Sequence, residues 1–345
     1  MKVALVAGRN VMATGIDRYV RSLASELKNE GVDVQLIVQQ RREMKLGPMR
    51  VGGFLSLYAA RFARRPAGVD IVHALDPAVA GPRTDVVTVH DIIAEQFPQW
   101  YLRDVRAKVD WAITRHYARS ARLLIADSEA TRAEIIERWH VPADRVRVAH
   151  LGVDASFFAP AGEPSKLLAA ERSNVVYVGD DNPRKNIALV VEALALLRIR
   201  GVNARFLRLG PSRFPKVHDA YRQRAKETGV DLVEPGFVSD AEVHALLTHA
   251  QAFVWPSLAE GFGLPPLEAM ACGLPVVALD TLVNREVLAP LARFHPDDAR
   301  AAADAIEETL RAPRRSDDLR AHAKTFDRTR TARETLAAYE EVMRR

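Results

Sequence analysis

Cysteine is nearly absent from this 345-residue chain: Cys272 stands alone, so no disulfide can form within it. Such usage fits a reducing compartment and predicts a cytoplasmic protein. No Cys/His spacing resembles a zinc site. Long hydrophobic runs are also lacking, and none approaches the roughly 20 residues that cross a bilayer. Met1–Gly8 is apolar but short and runs straight into Arg9-Asn10, so it reads as a first strand and not as a signal peptide. The loop after it is not Gly-x-Gly-x-x-Gly, and the dinucleotide fingerprint is missing. The acidic pairs Asp180-Asp181 and Asp297-Asp298 form no Asp-x-Asp arrangement and have no supporting histidine. The second pair reads as a helix cap, and metal-independent chemistry with no cofactor is expected. Basic residues are not interleaved with stacking aromatics on a recognisable module, so nucleic acid is the weakest partner class. There is no tandem repeat and no low-complexity tract.

What is present is ordinary globular material, 48% hydrophobic and 27% charged, in a length that suits two domains. The net charge of +5 admits three anionic partners: nucleic acid, membrane or substrate. Positive charge concentrates in 41–65, where Arg41, Arg42, Lys45, Arg50, Arg61, Arg64 and Arg65 meet the single acid Glu43. Phe54, Leu55, Leu57, Tyr58 and Phe62 interleave. Such a segment either lies on an anionic membrane or is a solvated helix with a core-facing stripe, and the two readings weigh equally.

Strand and helix patterns alternate throughout. Continuous apolar runs, expected for parallel strands buried on both faces, lie at Val3–Gly8, Val32–Val38, Ile71–Leu75, Val86–Asp91, Leu123–Asp127 and Val146–His150. Residues 155–173 break the pattern with Pro160, Gly162 and Pro164. Alternation resumes with strands at Val175–Gly179, Ala204–Gly210, Asp231–Val233, Ala252–Trp255, Pro275–Leu279 and Arg293–His295. Ser239 with Glu242 reads as a capping box. The predicted organisation is an N-terminal doubly wound domain over 1–155, a linker over 156–173 and a second such domain over 174–328. A terminal helix at 329–345 follows, and a ligand cleft is expected between strand C-terminal edges.

The most informative stretch is Glu260-Gly261-Phe262-Gly263-Leu264-Pro265-Pro266-Leu267-Glu268. It follows the apolar segment Phe253–Pro256 and precedes the helix-like run Glu268–Cys272. A strand, a glycine loop and a helix start make an anion-binding corner. Carboxylates at both edges accept hydrogen bonds from hydroxyls, so a nucleotide sugar suits the whole. Arg184 and Lys185 sit at another strand-to-helix turn, where two cations would stabilise a departing diphosphate. His90, at a strand end, would bond a sugar hydroxyl or carry a proton, while His73 reads as structural. Gly15, at a helix start, would let a phosphate approach. Asp127 and Ser128 are weaker candidates that read equally as helix caps.

On these residues the chain resembles retaining glycosyltransferases of family 4, which have the GT-B fold: two Rossmann-like domains facing across a cleft. The resemblance is strongest over Pro256-Ser257 through Ala278, the Glu-x7-Glu motif in its frame. Gly15-Ile16 with Arg18-Tyr19, His90-Asp91, Ser128-Glu129, Gly152-Val153-Asp154, Pro183-Arg184-Lys185-Asn186 and Thr331-Ala332 to Tyr339 support it. It implies that Glu260 contacts the donor sugar and Glu268 the ribose. It gives backbone donors to Gly261, Phe262, Gly263 and Leu264, the diphosphate to Arg184, Lys185 and Gly15, and the donor sugar also to His90. The last helix would return to the first domain. Many members carry arginine where Asp180 stands, but the Pro-Arg-Lys-Asn subgroup does not. That subgroup resembles bacterial mannosyltransferases of surface polysaccharide or lipopolysaccharide synthesis. The implied activity moves a hexose, with GDP-mannose the leading donor, to a saccharide or lipid-linked acceptor, peripherally on the inner membrane face. An epimerase of the same fold and a non-catalytic nucleotide-sugar-binding subunit remain alternatives.

Overall fold

A computed structural model describes residues 1–8, 15–39, 44–46, 49–51, 65–160 and 162–345. The chain falls into two compact units: Met1–Gly152 with Arg328–Arg345, and Val153–Asp327.

In the first unit β1 (Lys2–Gly8), β2 (Asp33–Gln39), β5 (Ile71–Ala74), β6 (Val86–Val89), β7 (Leu123–Ala126) and β8 (Val146–Val148) form one parallel sheet. Its order is β2-β1-β5-β6-β7-β8. β3 (Met44–Leu46) and β4 (Met49–Val51) form a separate antiparallel pair. The apolar runs of β1, β5, β6 and β7 are buried, as parallel strands covered on both faces require. β2 departs from that expectation. It is the sheet edge, and Leu36 and Val38 on it are exposed.

The terminal helix Arg328–Arg344 belongs to this unit. Tyr339 Oη lies 2.6 Å from His73 Nδ1, and Arg147 holds Glu341 with two bonds of 2.9 and 2.7 Å. The Thr331 hydroxyl donates to the His150 carbonyl. Burial of this helix on the sheet explains its apolar stripe of Ala332, Ala338, Tyr339 and Val342.

The second unit contains β9 (Ser173–Val178), β10 (Ala204–Leu209), β11 (Asp231–Gly236), β12 (Ala252–Trp255), β13 (Val276–Leu279) and β14 (Arg293–His295). All neighbours pair in parallel, in the order β11-β10-β9-β12-β13-β14. Strand order therefore reverses between β9 and β12. In open α/β sheets the strand C-terminal ends at such a reversal are the usual ligand position. In the first unit the same reversal falls between β1 and β5.

The structure modifies several expectations. Residues 156–173, read as a linker, are bound into the second unit. The Phe157 ring is buried, its carbonyl accepts Cys272 Sγ–H at 3.5 Å, and the Ser165 hydroxyl donates to Glu242. The capping box is thus only half formed. Ser239 caps Glu242 N at 3.2 Å, but the Glu242 carboxylate turns to Ser165. Asp298 does cap the helix Ala299–Arg311, through Ala301 N. Most of the basic segment 41–65 lies outside the described residues. Arg65 is no free surface charge: it donates to Asp85 Oδ2 at 2.8 Å and to the Asp70 carbonyl at 2.6 Å. Among the described residues no helix is long and apolar enough to cross a membrane, and no cluster of three or more metal-ligating side chains occurs.

Candidate functional site

The two loops at the β9/β12 reversal meet. After β9 the chain makes a short 3-10 turn, Pro183–Lys185, and enters the helix Ile187–Ile199 through Asn186 at φ 52°. Asn182 caps the turn through Arg184 N. The loop after β12 pairs with it, Leu258 N donating to the Arg184 carbonyl at 2.8 Å. This pairing aims both cations at one carboxylate. Lys185 Nζ lies 2.5 Å and Arg184 Nη1 2.8 Å from Glu260 Oε1. Arg184 also donates to the Ala259 carbonyl at 2.7 Å, and Lys185 Nζ sits 4.3 Å over the Trp255 ring.

Lys185 is 7% exposed, so its charge is nearly desolvated. Burial pulls the Lys185 ammonium below its ordinary value, while Glu260 opposes the fall. Burial alone would raise the Glu260 carboxyl, but Arg184 and Lys185 overcome it and hold it at about 2. One carboxylate is shared by two cations, with Asp180 adding a weaker influence on Lys185, and the two cations are placed to meet an anionic ligand. Trp255 stacks on Tyr177 at 5.7 Å between centroids, and Tyr177 Oη donates to the Asp180 carbonyl. The β9 loop therefore rests on an aromatic floor. Neither aromatic figured among the expected site residues, although Trp255 stands directly before the loop in sequence.

The Glu-x7-Glu run also folds differently from its expected frame. The helix starts at Leu264 and spans Leu264–Ala271, so Glu268 lies in its middle, 6% exposed, and not at its start. Gly263 takes the N-terminal junction at φ 95°, ψ 65°. A Cβ there would meet only ordinary contacts of 3.5 Å or more, so backbone conformation, not space, calls for glycine. Pro265 and Pro266 fix the first turn but bring no N–H. The amide donors of this corner therefore come from the loop and Leu264, fewer than a helix start ordinarily presents. Trp255 Nε1 and Ser257 Oγ are buried there without a protein partner.

Of the other expected residues, His90 and Gly15 belong to the first unit. Gly15 begins the helix Gly15–Asn29, and the loop before it lies outside the described residues. His90 follows β6, with Nδ1 2.7 Å from Asp127 Oδ2 and Nε2 3.0 Å from the Leu75 carbonyl. Burial would depress this imidazole, but Asp127, and more weakly Asp76, hold it up at about 9. Charged, it donates from both nitrogens, to Asp127 and to the Leu75 carbonyl. Asp127, weighed as a cap, is its counter-ion, while Ser128 caps the helix Glu129–Trp139. His73 is structural as expected. Burial and then His90 press it down to about 3, and its nitrogens meet Tyr339 and Thr88. Asp181 holds a loop in place, accepting from Ser212 Oγ, Arg213 N and Phe214 N.

Residues 13–157 match the family described as Glycosyltransferase Family 4, and residues 163–326 match Glycosyl transferases group 1. The chain belongs to glycosyltransferase family 4. This is a family of transferase enzymes. Among its relatives is the O-antigen chain mannosyltransferase B of Escherichia coli, 30% identical over 218 residues, 59% of this chain and 55% of that protein. The chain spans about half, or less, of the length of the curated relatives it matches. Sucrose-phosphate synthase from Thermosynechococcus elongatus superposes with a TM-score of 0.78 at 20% identity, covering 99% of this chain and 98% of that one. Anabaena HepE, solved with UDP and glucose, gives 0.73 at 18% identity, with 99% and 100% covered. These likenesses show the GT-B fold.

Proposed function

We propose that this family 4 protein is a retaining glycosyltransferase that moves a hexose from a nucleotide-diphosphate sugar to a saccharide or lipid-linked saccharide. Mannose from GDP-mannose is the leading donor, in polysaccharide or lipopolysaccharide synthesis. The observation that carries the reading is Glu260 shared by Arg184 and Lys185 at the strand-order reversal. The mannosyl assignment draws support from the printed activity of the Escherichia coli relative.

In this reading the diphosphate replaces Glu260 as the anion facing Arg184 and Lys185. The amides of Gly261, Phe262, Gly263 and Leu264 add donors, Glu268 takes the ribose hydroxyls, and Gly15 lets the diphosphate approach the first unit. Glu260, released from the cations, bonds the sugar. His90 contacts the same sugar by exchanging the Leu75 carbonyl for a hydroxyl. The bond from the anomeric carbon to the phosphate oxygen breaks and a bond to the acceptor oxygen forms on the same face. The acceptor's proton passes to the leaving diphosphate oxygen, and the two cations stabilise the charge that develops there. Removing one such stabiliser costs about a hundredfold or more in rate. Lys185→Ala is expected to lose at least that much sugar transfer from GDP-mannose, and near-normal turnover in the variant sinks the assignment. For the membrane, flotation with anionic vesicles at low salt tests whether segment 41–65 binds lipid. Absence of binding removes that partner.

A further inference from the structure

Arg184 and Lys185 meet the same oxygen of Glu260 but are held there by different means. Arg184 has a second anchor in the backbone, the Ala259 carbonyl at 2.7 Å. Among the described residues the Lys185 ammonium has two direct partners. They are Glu260 Oε1 at 2.5 Å and the face of Trp255, 4.3 Å from the ring centroid. The glycosyl-transfer reading takes Glu260 away to the sugar. Arg184 then keeps its carbonyl, whereas Lys185 keeps only the indole. An ammonium that is 7% exposed then stands beside the like charge of Arg184. A buried cation in that position turns toward water unless something attractive lies against it.

The indole is fixed in place. Trp255 is 1% exposed at the end of β12, and Pro256 after it confines its backbone to extended conformations. Tyr177 stacks on it at 5.7 Å and 24°, and Phe253 at 6.1 Å and 26°. Both are fully buried. The three rings come from β9 and β12, the paired strands at which the order reverses. The edge of the indole meets the glycine turn as well. A Cβ on Gly263 would lie 3.5 Å from Trp255 Nε1. One rigid ring therefore touches both the cation and the turn that starts the helix Leu264–Ala271. Nε1–H has no protein partner, so hydrogen bonding does not account for tryptophan at this position. A leucine or phenylalanine would also fill a core. What tryptophan adds is the aromatic face that attracts a cation most strongly.

We propose that Trp255 is a positioning residue for sugar transfer, its π face keeping the Lys185 ammonium aimed while the facing anion changes from Glu260 to the diphosphate. The inference rests on the glycosyl-transfer reading and adds how the second of its two cations stays in place through the exchange.

The charged groups about the ammonium are Glu260, Arg184 and Asp180, and the phenol of Tyr177 stacks on the indole. Burial lowers the ammonium's proton affinity, Glu260 raises it and Arg184 lowers it. The π face adds to the raising side, so its loss moves the ammonium further down. Glu260, at about 2, stays ionised throughout the basic range, and Tyr177 is pushed well above its ordinary value. His90, at about 9, belongs to the sugar in this reading and not to the diphosphate. Affinity for GDP therefore follows Lys185, and the ligand's own titration is common to every protein compared.

The test measures GDP affinity of the full chain by calorimetry across the basic range, and transfer from GDP-mannose at neutral pH. Trp255→Phe and Trp255→Leu weaken and remove the π face. Tryptophan carrying one, two or three ring fluorines weakens it stepwise while keeping the shape of the core, so the test survives a Trp255→Leu protein that does not fold. The other tryptophans, Trp100, Trp111 and Trp139, lie in the first unit, and fluorinated Trp255→Phe controls for them. The pH at which GDP affinity begins to fall is expected to drop with each fluorine and by about one unit in Trp255→Leu, with Trp255→Phe in between. Transfer should fall about tenfold in Trp255→Leu and be partly restored in Trp255→Phe. An onset at the same pH in all these proteins overturns the proposal. So does a loss of transfer that follows neither the fluorine series nor the order Trp, Phe, Leu, because that is the mark of packing alone. Failure of the parent protein to bind GDP or UDP, or to turn over any nucleotide sugar, strikes instead at the transfer reading.

Discussion

Replacing Glu260 by glutamine keeps the shape of the site and removes the anion shared by Arg184 and Lys185. Its cost follows from the structure. The Glu260 carboxyl is held at about 2, against an ordinary 4.5. At about 1.4 kcal/mol for each tenfold step in proton affinity, the folded site contributes about 3 kcal/mol at neutral pH. This figure matches the roughly 3–5 kcal/mol lost when one member of a buried ion pair is removed. The direction with pH is fixed. A carboxyl whose pKa falls on folding stabilises fully above its unfolded value and loses that contribution as pH drops toward the folded one. The gap between parent and Glu260→Gln should therefore be about 3 kcal/mol at pH 7 and less than half of that near pH 3. Urea unfolding measures it. Trp255 is the only tryptophan of the second unit and lies against Lys185, so its fluorescence reports this site. Adding Lys185→Met should recover part of the loss, because it removes a buried charge left unpaired. Equal midpoints for parent and Glu260→Gln at pH 7, or a gap unchanged between pH 3 and 7, would refute the reasoning.

The first unit should show the opposite pH dependence. His90 rises from 6.5 to about 9 on folding, so about 3 kcal/mol of stability present below pH 6.5 is lost as pH climbs through 9. Asp127→Asn should abolish that slope in urea unfolding and return the His90 titration, followed by NMR, to below neutral. Gly263→Ala forces a side chain into left-handed backbone and should cost about 1–2 kcal/mol and raise the donor KM. An unchanged unfolding midpoint would show that the turn relaxes freely. Tyr339→Phe strips His73 Nδ1 of its partner inside the core, and a loss of about 1–3 kcal/mol is expected in the same assay. No loss would mean that the terminal helix is anchored elsewhere.

Much of the fold was legible because parallel strands covered on both faces must be continuous apolar runs. β1, β5, β6, β7, β12 and β13 lie where such runs stand, while β10, β11 and β14 carry charged residues within the strand. The edge strand β2 was misjudged in environment for the same reason. Asp33, Gln35 and Gln39 intersperse its apolar residues, and the pairing order puts it at the sheet edge. The 156–173 segment shows a second limit. Pro160, Gly162 and Pro164 do break regular structure, but a break in periodicity does not say whether the chain packs or hangs free.

The sequence by itself determined the two alternating α/β units, the glycine at 263, and the residues able to meet a nucleotide sugar. Those follow from local rules of periodicity, backbone preference and side-chain chemistry. The tertiary structure decided what those residues do to one another. Glu260 and the pair Arg184–Lys185 are separated by about 75 positions and become one charged group because the strand order reverses between β9 and β12. Asp127 turned from a helix cap into the counter-ion of His90 because β6 and β7 are neighbours. Distances between residues remote in sequence are set by strand order and packing, and no short stretch of sequence contains them.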